Sequence, residues 1–199
     1  MKKKLLPWLL LFTLASFVSV SAHAQVDADR PPGGIKVAKV TGAVTATKDG
    51  ETIDLVKGSE LNQGYVVNTA NESSVVLVFS NGATVNLAQD SSLSIDEFLQ
   101  DPFAEEISLS SMTAEPTVST TKLHLSRGEL VGNVKKLNSD AGSTFTVNTP
   151  VGAAGIRGTT FRIVFRPDGT GRAFFSLTTV EGNVVLASGT VNMPSEVSV

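Results

Sequence analysis

The chain contains no cysteine, and that absence removes disulfide staples, thiol nucleophiles and thiolate metal sites. It also excludes lipid attachment through an N-terminal cysteine. Histidine is nearly absent too: of the two, His23 lies within the first 24 residues, which leaves His124. A zinc site needing two His or Cys ligands is therefore out of reach, and a Ser-His-Asp triad could be built only on His124. That residue sits in an alternating run, KLHLS, between Leu123 and Leu125, so the pattern turns it away from the apolar side as an exposed strand residue. The single Trp is Trp8 and the single Tyr is Tyr65, so the aromatic platform usual around a sugar-cleaving carboxylate pair is missing. Asp96, Glu97 and Asp101 are imaginable calcium ligands, but their spacing matches no loop motif. We assign no catalytic residue, no metal ligand and no cofactor, and read the chain as no enzyme.

Basic charge is also thin. Residues 1–24 read as a secretory signal peptide: Lys2, Lys3 and Lys4 open it, an apolar run follows, and Ala22-His23-Ala24 is an A-x-A cleavage site. The run approaches membrane-spanning length, but the small-residue site favours cleavage over an uncleaved anchor. Removal leaves 175 of 199 residues, no membrane span, and 13 basic against 19 acidic residues, a charge of −6. A chain of that sign has no general electrostatic grip on nucleic acid or anionic lipid. Its length suits one domain that needs no disulfides. Residues 25–34 (QVDADRPPGG) predict a flexible tether, residues 35–187 the domain, and residues 188–199 a tail.

No sustained 3.6-residue period follows the signal, and turn signals recur every dozen residues or so, which predicts an all-β fold. Asp49-Gly50 centres one hairpin, pairing Lys48 with Glu51, Ala46 with Ile53 and Val44 with Leu55. Asn81-Gly82 predicts a second two-residue turn, with Ser80 opposite Ala83, Val78 opposite Val85 and Val76 opposite Leu87. Asn62-Gln63-Gly64 reads as a turn, and Leu93 and Ile95 mark a strand. Residues 98–121 carry Asp101, Glu105, Glu106 and Glu115 and no basic residue until the very end of the segment is passed. They read as a long surface loop with room for one strand at 107–109. A solvated insertion is preferred there over a partner-binding or cation-binding loop. Leu123, Leu125, Leu130, Val134 and Leu137 make a strand bent around Gly128 and Gly132. Pro167-Asp168-Gly169 and Glu181-Gly182-Asn183 read as turns.

The chain is organised around residues 145–165, FTVNTPVGAAGIRGTTFRIVF. Alternation over Phe145 and Val147 gives a strand, Pro150 breaks it, and Phe161, Ile163 and Phe165 resume it. Gly152, Gly155 and Gly158 between them suggest a corner where positive φ is cheap. The glycine spacing invites comparison with phosphate-binding loops, yet it opens a strand and lacks their helix dipole. Arg157 sits among these glycines. Its preferred reading is a buried clamp on crowded corner carbonyls, and the alternative is an exposed anchor for an anionic group.

TPVGAAGIRGTTF resembles the core motif of the FecR-type periplasmic domain. FSNGATVNL resembles that family's hairpin, LSRGELVGNV its L-x-x-G-x-L strand and LTTVEGNVVL its closing hairpin, in register over residues 42–186. The resemblance singles out Pro150, Gly155, Arg157, Gly158 and Thr159 as structural corner or partner contact, beside the turn residues Asp49, Gly50, Asn81 and Gly82. It implies an elongated, solenoid-like stack of short strands, while composition alone equally allows a β-sandwich. FecR-type regulators relay a receptor signal to an anti-sigma segment across a membrane helix, and here only Met1 to Lys4 precede the apolar run. The expectation is accordingly a non-enzymatic binding or signalling module, periplasmic or secreted, that docks an envelope protein or polymer. The rival is a self-assembling structural protein of the envelope, joined through strand edges.

Overall fold

Wherever the structure, a computed structural model, describes the chain, the alternating segments are strands. It describes residues 30–103 and 112–188, the stretch 180–188 as backbone. There are twelve strands among them. The first eight are β1 (Ile35–Thr41), β2 (Val44–Lys48), β3 (Glu51–Asp54), β4 (Glu60–Leu61), β5 (Val66–Thr69), β6 (Ser74–Phe79), β7 (Thr84–Leu87) and β8 (Ser92–Gln100). The rest are β9 (Ser119–Asn133), β10 (Thr144–Thr149), β11 (Gly152–Pro167) and β12 (Ala173–Ser188). A single 3-10 turn, Ser139–Ala141, precedes β10.

β9 is the hub, because it is paired along both edges. Leu123 in its first half lies between Ile95 of β8 and Val147 of β10. Leu130 in its second half lies between Leu87 of β7 and Ile163 of β11. Outward from β8 come β5, β2 and β3; outward from β7 come β6, β1 and β4; β12 closes the other side on β11. All pairs are antiparallel except β9 with β10. The all-β expectation holds. The sheet is one curled open surface, a half-barrel, and this order does not by itself make the solenoid-like stack or the two separate sheets of a sandwich.

The hub can serve two wings because its phase resets midway. Leu123 and Leu125 are buried, Ser126 and Arg127 are both exposed, and Leu130 is buried again. Gly128 carries that break with a φ of 100°, and a Cβ there would lie 2.0 Å from the Ser91 hydroxyl oxygen. The same hydroxyl accepts the Glu129 amide at 3.0 Å, which fixes the bulge. Inside the curl, four fully buried phenylalanines join the wings edge to face. Phe79 stands 5.1 Å from Phe98 and 6.4 Å from Phe145, and Phe145 stands 6.4 Å from Phe161.

The Asp49-Gly50 hairpin has the expected register, Lys48 with Glu51 and Ala46 with Ile53. Its φ values of 51° and 84° are those of a tight primed turn. The Asn81-Gly82 hairpin differs by one residue: Leu77, not Val78, faces Val85, and Val75 faces Leu87. The loop is three residues long, with the Gly82 amide bonded to the Phe79 carbonyl at 2.9 Å and Gly82 left-handed at 85°. This is the type I turn with a glycine bulge, and the slip puts Val75, Leu77 and Phe79 inward together.

Three further expectations change. β8 runs on to Gln100, with a bulge at Asp96 that lets Phe98 turn inward, and β9 begins at Ser119, so both ends of the stretch 98–121 are strand rather than loop. The strand read at 107–109 lies outside the described residues, as do residues 1–29 and 189–199. Glu181-Gly182-Asn183 is no turn: β12 passes straight through, opposite the bulge in β11. The end of the predicted tether is pinned along β8. Gly33 donates to the Phe98 carbonyl at 2.8 Å, the Pro31 carbonyl accepts from Gln100 at 3.0 Å, and Arg30 Nε meets Asp101 at 2.6 Å.

Candidate functional site

The glycine-rich stretch folds as a hairpin and a bulge rather than one corner. Pro150 and Val151 form a two-residue turn that sets Thr149 opposite Gly152. Gly155 is an ordinary paired strand residue opposite Thr146. The break comes at Gly158, where φ is 68° and the register against β12 shifts between Arg157 and Thr160. A side chain there has no room: a Cβ would lie 2.9 Å from the Lys136 Cα and 3.3 Å from the Lys135 carbonyl oxygen. Thr159 is buried, and its carbonyl accepts the Val134 amide at 2.9 Å.

That close approach brings Arg157 beside the segment leaving β9. Lys136 is held through its backbone, its amide donating to Thr113 at 3.3 Å and its carbonyl accepting from Glu115 at 3.0 Å. Glu115 itself is buried and accepts two hydrogen bonds, from the Asn138 amide at 2.6 Å and from the Ser119 hydroxyl at 2.7 Å. It is a structural carboxylate, not part of an exposed acidic loop. Between these supports lies a cleft of about 500 Å³, lined by Lys136, Asn138, Ser139, Asp140 and Arg157 among others. A smaller hollow of about 230 Å³ adjoins it, sharing Ser139 and Arg157 and reaching Thr144, Thr146 and Gly155.

Arg157 is exposed and makes no hydrogen bond or ion pair among the described residues, so the buried clamp is not what the fold contains. The reason is local. Ile156 takes the inward position opposite Phe145, which sends Arg157 outward, and the neighbouring carbonyls are in the ladders with β10 and β12. Lys136 is exposed as well. Among the described lining residues, Lys136 and Arg157 are the cations and Asp140 the one carboxylate.

Several other charged groups are matched by ion pairs. Arg162 grips Glu129 with two bonds of 2.7 and 2.8 Å, and Arg166 stands 3.6 Å away. The Arg162 hydrogen bonds, reinforced by both guanidinium charges, hold the Glu129 carboxyl below its usual range. Glu97 pairs with Lys122, and Asp101 with Arg30, so neither joins Asp96 in a cation site. Among the described residues no three His, Cys, Asp or Glu side chains group as metal ligands. A second cleft of about 490 Å³ beside β1 is lined by Tyr65, Lys36 and Glu60, but there Lys36 and Glu60 face each other at 3.6 Å. His124 is half-buried in β9, opposite Ser94 and Asn148. Sequence patterning missed Lys136, Glu115 and Asn138, because their roles depend on pairings that no local period records.

The curled all-β sheet with its bulged R-G-T segment defines the class of β-domain to which the chain belongs. The profile of the family described as FecR protein matches residues 65–185, more than half of the chain, and the protein belongs to that family. It is a family of non-enzymatic signalling regulators whose domains typically reside in the periplasm or envelope. No curated protein and no solved structure matches the chain. Among the described residues no helix is long and apolar enough to cross a membrane.

Proposed function

We propose that this protein is an exported member of the FecR family that docks an envelope protein or polymer through the Arg157 cleft. In this reading residues 1–24 are cleaved and the domain works in the periplasm or outside the cell. The observation that carries it is the exposed Arg157 beside Lys136, whose side chains have no hydrogen-bond or ion-pair partner among the described residues. A planar guanidinium so placed suits a carboxylate or phosphate on the partner.

The export half is tested by intact mass, which should give a chain beginning at Gln25; retention of residues 1–24 would overturn it. The docking half is tested by cross-linking in intact envelopes with wild type and Arg157→Ala. Because Arg157 is exposed and has no side-chain partner among the described residues, its loss should change stability by no more than about 0.5 kcal/mol. The variant should melt like wild type and lose a specific cross-linked partner. An unchanged set of partners would exclude this cleft as the docking site.

A further inference from the structure

Among the described residues the curled sheet has three outer edges, and they are guarded very differently. β3 is four residues long and carries Glu51 and Asp54; β4 is two residues long and carries Glu60. Short, charged edges of this kind discourage pairing with another chain. β12 is 16 residues long and pairs only with β11 among the described residues. Its first part, Ala173 to Thr179, reads AFFSLTT, with no charge and no proline, and Phe174 is 61% exposed.

That segment is also self-complementary. An antiparallel pair made by a two-fold axis through Ser176 would set each residue opposite its mirror position in a second copy. Phe175 would then face Leu177, both on the inward side of the strand, and Phe174 would face Thr178, both on the outward side. Inward residues meet inward residues, and an aromatic meets a β-branched partner on the wet face, a favourable cross-strand pair. No like charges are brought opposite one another. We propose that β12 is a homodimer edge, where two copies pair antiparallel about Ser176 and continue one sheet across the dimer. This is independent of the Arg157 cleft, which lies at the bulge of β11.

The absence of native cysteine makes the register directly testable, since any introduced thiol is the only one present. Ser176→Cys should form a symmetric disulfide dimer on mild oxidation, because residue 176 faces itself. Thr178→Cys should not, since its own copy would be displaced along the strands by about 13 Å. Mixing Thr178→Cys with Phe174→Cys should restore cross-linking. Sedimentation equilibrium should show a monomer–dimer equilibrium for wild type and a monomer for Ser176→Lys with an unchanged far-UV spectrum. A wild-type monomer at all concentrations, a dimer that survives Ser176→Lys, or Thr178→Cys linking as readily as Ser176→Cys would each overturn the proposal.

Discussion

The two glycine-centred hairpins carry nearly the same sequence signal and end in different places. At Asp49-Gly50 the turn stands in solvent, and nothing lies within 4 Å of where a Gly50 side chain would begin. At Ser80-Asn81-Gly82 the loop is embedded. Asn81 is 2% exposed; its amide donates to Ser119 at 3.1 Å and Thr121 at 3.4 Å, and its oxygen accepts the Ala83 amide at 3.1 Å. Ser80 is tied as well, through its amide to Gly34 at 2.9 Å and its hydroxyl to Gln100 at 2.5 Å. A turn free of tertiary partners keeps the geometry its own residues favour. A turn inside the fold takes the loop length that satisfies its surroundings, here one residue more.

The strongest test of that difference substitutes glycines with similar φ but different surroundings. Gly128→Ala combines left-handed strain with a Cβ placed on Ser91, whose hydroxyl holds the bulge, so we expect a loss of about 3 kcal/mol or more by chemical denaturation. A loss under about 1 kcal/mol would mean the bulge can relax. Asn81→Ala should come next, at about 2–3 kcal/mol, because buried hydroxyls of Ser119 and Thr121 lose a donor and the Ala83 amide loses its acceptor. If it proves as mild as a surface change, the loop's partners do not set its register. Smallest should be Gly50→Ala, about 1 kcal/mol, since only backbone strain opposes it. Equality of the Gly50 and Gly128 effects would erase the contrast between solvated and embedded positions.

Acid sharpens the comparison from the side of charge. The folded-state carboxyl of Glu129 lies below its usual range, so its contribution is full above the ordinary carboxylate pKa and fades as pH falls through the lowered folded value. Thermal melts between neutral pH and about pH 3 should therefore fall less steeply for Glu129→Gln than for wild type. Parallel curves would show that the Arg162 pair adds no pH-dependent stability.

What was legible in the sequence was whatever is written locally. Alternation placed the strands, Asp49-Gly50 fixed one register, and the glycines marked where β9 bends and where β11 breaks, though the latter reads as a corner. Phe98 was lost to the loop reading because a bulge at Asp96 shifts the alternation by one residue, hiding an inward phenylalanine behind two acids. Arg157 was read as buried because its glycine neighbours suggested a corner, whereas the strand is paired on both sides and simply alternates outward. Glu115 reads as one more surface acid in an acidic run; only the return of residues 136–138 beside it gives that carboxylate its two donors.

The doubly paired hub has a consequence for how the chain reaches this structure. The inner edges of β7 and β8 have no partner until β9 exists, and β9 keeps one bare edge until β10 and β11 arrive. Each of those pairings closes a loop between segments far apart in sequence, the more costly order for a folding chain. The two wings are thus not separable units that assemble in turn. Refolding should be a slow, all-or-none process on the millisecond-to-second scale, with β9 reaching its final pairing only when β11 does.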